Sequence, residues 1–404
     1  MSRKIIAFSL ALACLLAAAL PARAETPRTG AAHHALDYIR TLQNDDGGFP
    51  FFGSDSDAGS TIDAILAFVD DDLDIDDVQN AGNSPIDYLE DQAAAYTVTP
   101  DHAAKLVIGL VAAGEDPRDF AGANYVAKMQ SYYDAATHRY GQQAVDQALY
   151  LLARASLDVS MPSGATAVLQ SKQLPDGCWE YGGFGCDTNS TAMAIQALIA
   201  AGVDESDASI QDALAYLKTA QTSDGGFPYV APGDSDANST AFVLQALLAA
   251  DEDVDAGGPW EKPGGRTPMQ ALLAYQDAAT GAFTYAGEDN YYATYQAVPA
   301  LLLQPLLLPP HVEPTKTPRP THTPVATATA AIVAPTATPP AVDAQTTPLS
   351  QVLPVVAGAT ALPQRLAAAG QGAEGGTPAA LPALLLVAGS CLAGGLLVRS
   401  VRGR

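Results

Sequence analysis

A short string recurs along this chain, and its recurrence limits the fold more than any other feature. Gln43-Asn-Asp-Asp-Gly-Gly-Phe49, Gln173-Leu-Pro-Asp-Gly-Cys-Trp179 and Gln221-Thr-Ser-Asp-Gly-Gly-Phe227 are copies of Q-x-x-D-G-x-aromatic. Gln276-Asp-Ala-Ala-Thr-Gly-Ala-Phe283 is a looser fourth. About a dozen residues after each aromatic comes a second mark: Ser60-Thr61, Ser190-Thr191, Ser239-Thr240 and Ala293-Thr294. Each opens an Ala/Leu-rich stretch such as Thr191-Ala-Met-Ala-Ile-Gln-Ala-Leu198. A hydroxyl residue just before an apolar run of helical period marks a helix start.

Two degenerate copies fill the gap: Asp91-Gln92 ahead of Ala103–Ala113, and Gln130 ahead of Val145–Ala155. The marker glutamines then stand at 43, 92, 130, 173, 221 and 276, a mean spacing of about 47 residues. That length suits a pair of helices with their loops. The helix before each glutamine is amphipathic, as in Ala208–Ala220, whereas the helix after it is apolar almost all round and predicts burial on both sides. Six outer helices around six inner ones predict an all-α, (α/α)6-type toroid of helical hairpin repeats over residues 25–308.

The two ends have a different character. Residues 1–24 run Arg3-Lys4, an apolar stretch Ile5–Leu20, then Ala22-Arg23-Ala24, the order of a secretory signal peptide. Residues 309–378 are rich in Pro, Thr and Ala and predict a disordered, extended stalk. Ala379–Val398 is uncharged and long enough to span a bilayer, and Arg399, Arg402 and Arg404 behind it set the tail, 399–404, on the cytoplasmic side. The expectation is an exported, single-pass protein whose repeat domain lies outside the cell and meets the membrane only through its anchor. Charge bears on the partners. Against 20 Lys+Arg stand 44 Asp+Glu, a net charge of −24, and all but Glu313, Asp343 and Glu374 of those acids fall within the repeats. So negative a surface excludes nucleic acid.

The repeated turn resembles the glutamine–tryptophan motif of the α/α toroids: squalene and terpene cyclases, protein prenyltransferase β subunits and cobalamin carriers. Thr294-Tyr-Gln-Ala-Val-Pro-Ala-Leu301 looks like the closing helix of the cobalamin carriers. The resemblance covers nearly all of residues 31–305. It implies the toroid fold and, as ligands, a corrinoid or an isoprenoid; no cofactor is otherwise expected. The sequence departs from the carriers where their following β-domain would stand, since Leu306-Leu-Leu-Pro-Pro and the stalk take that place.

Cyclases protonate substrate with the middle Asp of D-x-D-D, which Asp74-Ile-Asp-Asp77 matches. Its neighbours are Asp70, Asp71 and Asp72, a run expected to be a solvated connection between units. Prenyltransferases hold zinc with Asp, Cys and His. Here Cys178 and Cys186 share one short loop without metal-ligand spacing, and His33, His34, His102 and His138 are scattered; a local disulfide is expected. Asp234-Ser-Asp-Ala-Asn238 has the start of a calcium loop but lacks its glycine and its bidentate glutamate.

The remaining candidates recur. Asp57, Asp187 and Asp236, with Asn290 in the last unit, each precede an inner-helix threonine by four residues. Two roles are open to them: capping the helix N-terminus, and meeting a ligand at the toroid rim, where the resemblance to the cobalamin carriers places the contact. Of the aromatics near the turns, Phe52, Tyr181, Tyr229, Tyr285 and Tyr291 are candidates to line that mouth. The reading is therefore a non-catalytic surface module that binds a corrinoid, an isoprenoid, a glycan or a protein partner at its rim. The alternative is a cyclase- or prenyltransferase-like enzyme, or an extracellular glycan-active one, working with rim carboxylates.

Overall fold

The computed structural model describes residues 26–51 and 53–305. The signal peptide, stalk, membrane span and tail expected from the sequence lie outside these residues, as does Phe52. Among the described residues no helix is long and apolar enough to cross a membrane.

Among the described residues, twelve α-helices alternate between two layers. The outer ones are α1 (Pro27–Thr41), α3 (Pro85–Tyr96), α5 (Tyr125–Gln130), α7 (Ala165–Ser171), α9 (Ala208–Ala220) and α11 (Pro268–Leu273). The inner ones are α2 (Ala58–Val69), α4 (Pro100–Ala112), α6 (Ala144–Ser156), α8 (Thr188–Ala200), α10 (Ala237–Ala249) and α12 (Tyr291–Leu301). Each inner helix packs on the next, and α12 returns to pack on both α1 and α2, so the ring closes. The outer helices lie against the inner layer, and α1, α3 and α7 each touch two inner helices in succession. This is the six-hairpin toroid the repeat predicts. Its inner helices are buried on nearly every side: all residues from Ala58 to Phe68 of α2 are buried.

The repeated string explains how one unit is tied to the next. In each regular turn the glutamine amide donates one hydrogen to its own turn and the other to the following unit. Gln43 Nε2 reaches Gly47 O (3.0 Å) and Val78 O (3.2 Å). Gln173 reaches Gly177 O (2.8 Å) and Ser209 O (2.7 Å), and Gln221 reaches Gly225 O (2.9 Å) and Trp260 O (2.8 Å). Gln276 reaches Gly281 O (2.9 Å) and Ala31 O (2.8 Å), which joins the last unit to the first. The turn glycine serves the same seam. Gly177 and Gly281 have φ of +85° and +83°, and a Cβ there would sit 2.4 Å from Asp212 O and 2.3 Å from His34 O. Only glycine permits both the dihedral and the approach.

The aromatic of each turn is fully buried: Phe49, Trp179, Phe227 and Phe283 are all at 0% exposure. Its backbone N–H donates to the inner-helix threonine, Thr61, Thr191, Thr240 or Thr294, at 2.9–3.0 Å. The threonine is therefore specified by a backbone donor that would otherwise be buried without a partner.

Two features depart from the sequence expectation. Short antiparallel hairpins stand between outer and inner helices, which the all-α reading omitted: β1 (Phe49–Pro50) with β2 (Ser56–Asp57), β3 (Tyr133–Asp134) with β4 (Arg139–Tyr140), β5 (Trp179–Glu180) with β6 (Cys186–Asp187), and β7 (Thr284–Tyr285) with β8 (Glu288–Asp289). Two-residue strands carry too little alternation to be read from sequence. Second, Gln92 lies within α3 and Gln130 ends α5, and neither bridges two units. In the third unit Gln147 of α6 takes over both tasks. Its Oε1 accepts from Tyr140 N (2.7 Å), as the threonines do elsewhere, and its Nε2 donates to Ala165 O of α7 (2.9 Å).

Replacing Gln221 by Leu strands two carbonyls at a buried seam and is expected to cost about 2–3 kcal/mol in urea unfolding. Gln92→Leu, which breaks no bridge, should stay within about 0.5 kcal/mol. Equal effects would show that the bridges do not hold the ring.

Candidate functional site

All six inner helices begin at the same rim, and the four hairpins stand over it. The recurring acids are at the helix starts. Asp57 Oδ1 accepts from Ser60 N (2.8 Å), Asp187 Oδ1 from Ser190 N (2.6 Å), Asp236 Oδ1 from Ser239 N (2.7 Å), and Asn290 Oδ1 from Ala293 N (2.8 Å). Each is an N-cap, and each satisfies a donor that the helix leaves free. The capping role is thus filled at all four positions.

Their surroundings differ. Asp187 is 1% exposed, and its second oxygen accepts from Tyr181 N at 3.1 Å. Burial pushes its carboxyl up to about 7, against the backbone donors of Ser190, Tyr181 and Asn189, which favour the charged form. Burial also raises Asp236, although that side chain is only partly covered. Tyr229 is buried, whereas Tyr181, Tyr285 and Tyr291 are half-buried at the rim. Between the fourth and fifth units the seam is polar: Thr188 Oγ1 donates to Pro228 O (2.8 Å), and Asn189 Nδ2 to Asn238 Oδ1 (3.2 Å).

One position of each inner helix stands out by its exposure. Six residues after each N-cap come Asp63, Lys105, Leu149, Met193, Phe242 and Gln296. Asp63, Leu149, Met193, Phe242 and Gln296 retain 3–8% exposure, more than the residues on either side of them, and the Lys105 side chain retains 12%. Asp63 and Lys105 form an ion pair of 2.8 Å across α2 and α4, and the Gln296 side chain of α12 also bonds Asp63. Burial raises the Asp63 carboxyl while Lys105 opposes the shift.

Clefts open elsewhere. One, of about 630 Å³, is lined by Thr99, Asp101, Tyr132, Arg139, Asp146 and Tyr181 among others. A second, of about 860 Å³, runs along α9 past Asp176, Asp212 and Tyr216. A third, of about 740 Å³, is bounded by Asp45, Asp46, Asp55 and Tyr88. Of the rim residues singled out from sequence, Tyr181 alone lines any of these three. Asp101 and Asp146 carry no repeat signature, and periodicity gave no signal for them.

Cys178 and Cys186 are joined in a disulfide across the β5–β6 hairpin, with Cα atoms 5.5 Å apart. Asp74 caps Asp76 N (3.1 Å) in a short exposed turn, so the D-x-D-D string is a connection between units. Among the described residues no group of three His, Cys, Asp or Glu side chains is arranged to hold a metal.

Residues 142–256 match the family of the squalene-hopene cyclase C-terminal domain. With the closed ring of hairpins, this match supports the α/α toroid superfamily for this chain. No curated protein matches it. Several solved structures resemble it at low identity. The type II terpene cyclase MstE from Scytonema is 14% identical, with 68% of this chain and 98% of that chain covered and a TM-score of 0.47. A wild-type glycosidase is 14% identical, covering 71% and 100%, with a TM-score of 0.42. A protein from Actinoplanes is 15% identical, covering 69% and 99%, with a TM-score of 0.44.

The Asp187 shift has a direction in pH. An unfolded aspartate loses its proton near 4, so between there and about 7 the folded chain holds an extra proton. Stability from the neutral carboxyl is present below about pH 4 and is lost as pH rises towards 7. Relative to Asp187→Asn, the wild-type unfolding free energy should fall by roughly 2–4 kcal/mol over that range. Parallel pH profiles in urea melts of the two proteins would exclude the shift.

Proposed function

We propose that this chain is an exported α/α toroid, held at the cell surface by its stalk and anchor, that binds a ligand at the rim of its inner helices without converting it. The observation that carries this reading is that Asp63, the one acid among the six equivalent inner-helix positions, is already engaged in an ion pair. Catalysis in the centre of a toroid needs an open chamber with an acid free to act. Here Asp63 is held by Lys105 at 2.8 Å and by Gln296. Clefts of about 630, 740 and 860 Å³ open elsewhere. The rim also carries the half-buried tyrosines and the polar atoms that a bound molecule would meet.

A corrinoid, an isoprenoid, a glycan and a protein surface are all chemically admissible there. The test is native mass spectrometry of the full chain in detergent micelles, incubated with cyanocobalamin, a polyprenyl lipid or neutral oligosaccharides. A mass adduct with no product released is the expected result. Consumption of any probe with a new product would overturn the non-catalytic reading.

The two readings also part over Lys105. If Lys105 is only the structural partner of Asp63, Lys105→Met leaves Asp63 buried without its cation and should cost about 3–5 kcal/mol of stability. Ligand retention by the folded fraction should be unchanged. If the axial pair were catalytic, Lys105→Met would abolish turnover by a correctly folded protein.

A further inference from the structure

Two polar side chains on α3 take no part in holding the ring. Gln92, the marker glutamine of the second unit, bridges no units and makes no hydrogen bond among the described residues. One turn earlier on the same helix, Tyr88 is 9% exposed. A Cβ at Gly48 would stand 2.8 Å from its ring, so the turn of the first unit packs on that ring and fixes it. Burial, with Asp57 and Asp46 nearby, raises the phenol, which stays a neutral hydroxyl. That hydroxyl has no hydrogen-bond partner among the described residues, and it is not one of the atoms that the fold seals from solvent. Tyr88 and Gln92 both line the cleft of about 740 Å³ between α3 and the first unit's turn and hairpin.

The opposite wall has spent its donors and kept its acceptors. Asn44 Nδ2 donates to Ser54 O (2.8 Å) and Ser56 Oγ (2.9 Å), and Asn80 Nδ2 to Gln43 O (2.7 Å) and Asp45 Oδ1 (3.3 Å). Each amide is left with its oxygen. Asp46 Oδ1 accepts from Gly48 N (3.0 Å) and Ser56 Oγ (2.7 Å). Its Oδ2, like the Oδ2 of Asp45 and of Asp55, has no partner among the described residues.

This surplus of acceptors selects the class of ligand. Asp45, Asp46 and Asp55 line the cleft, and no Lys, Arg or His does. An anion is repelled there, and a neutral molecule would cover carboxylates without compensating their lost hydration. Nor do the three carboxylates converge on one point, since no such group among the described residues is arranged to hold a metal ion. The cation that fits carries its charge on several N–H donors spaced along a chain.

We propose that this cleft binds a linear polyamine, whose ammonium groups donate to Asp45, Asp46 and Asp55 on one side and to the Tyr88 hydroxyl and the Gln92 amide oxygen on the other. None of the four inner-helix caps lines it, so the site is independent of the rim-binding reading above. The full chain in uncharged micelles is titrated by calorimetry with spermidine at about 0.15 M salt, where diffuse attraction is screened. A saturable site is expected. Tyr88→Phe, which removes a hydroxyl and no charge, should weaken it about three- to tenfold. Gln92→Leu should weaken it about two- to fivefold, and covers the case in which Tyr88→Phe does not fold. Asp55→Asn should weaken it more than Asp212→Asn, which removes the same charge beside another cleft. Absence of a saturable site would overturn the proposal, as would unchanged affinity in both Tyr88→Phe and Gln92→Leu. Equal losses in Asp55→Asn and Asp212→Asn would reduce the binding to general attraction by an acidic surface and overturn it too. Displacement of spermidine by magnesium at lower concentration than by putrescine would replace the polyamine with a metal ion. Binding of a tetralysine peptide without binding of spermidine would replace it with a basic protein segment.

Discussion

The ring depends on a side-chain amide that bonds two backbone carbonyls in two successive units. A linear stack of helical hairpins is a one-dimensional array, stabilised by nearest-neighbour interfaces and exposed at both ends. The inner helices of this chain are apolar nearly all round, so two uncovered ends would place large hydrophobic faces in water. The Gln276 bridge to Ala31 O removes the ends. Closure is reinforced nearby, because Arg28 bonds Leu301 O and the Tyr295 hydroxyl donates to Pro50 O. The same turns place their glycines against the backbone of the next outer helix, so hydrogen bonding and close packing act at one seam.

Closure has a consequence for the centre. Six inner helices at ordinary packing distance leave an axial column that must hold solvent, ligand or side chains. Met193, Phe242 and Leu149 stand at the same position of their helices as Asp63, Lys105 and Gln296, and Asp63 bonds the other two of that second set. A buried ion pair adds little net stability over an apolar filling of similar shape. It does penalise any arrangement that separates α2 from α4 or α12. Its contribution lies in fixing which helices are neighbours.

Much of this was legible in the sequence, for a definite reason. The turn glutamine, glycine and aromatic and the inner-helix threonine perform the same task in four units, so the chain repeats them and the register can be read. Asp57, Asp187, Asp236 and Asn290 were legible on the same ground, as helix caps. The hairpins were not, because two paired residues leave no periodic trace. Nor was the transfer of tasks to Gln147, which does the work of a threonine and of a turn glutamine from a position where neither is expected. Asp101, Asp146 and His102 escaped for a related reason. They belong to the units in which the repeat breaks down, and a reading built on recurrence passes over what occurs once.

That failure is informative about where a function can lie. Residues that recur around the ring answer to constraints common to every unit, which are capping, turn closure and packing. A ligand site needs groups whose hydrogen bonds are not already consumed by the fold. Every carboxylate or amide at the four regular helix starts has a backbone N–H to accept. At the start of α4 the hydroxyl of Thr99 and the Nε2 of His102 have no hydrogen-bond partner, and both are buried. The second unit is therefore where the fold leaves polar groups unspent, and the departure from the repeat, not the repeat itself, sets it apart.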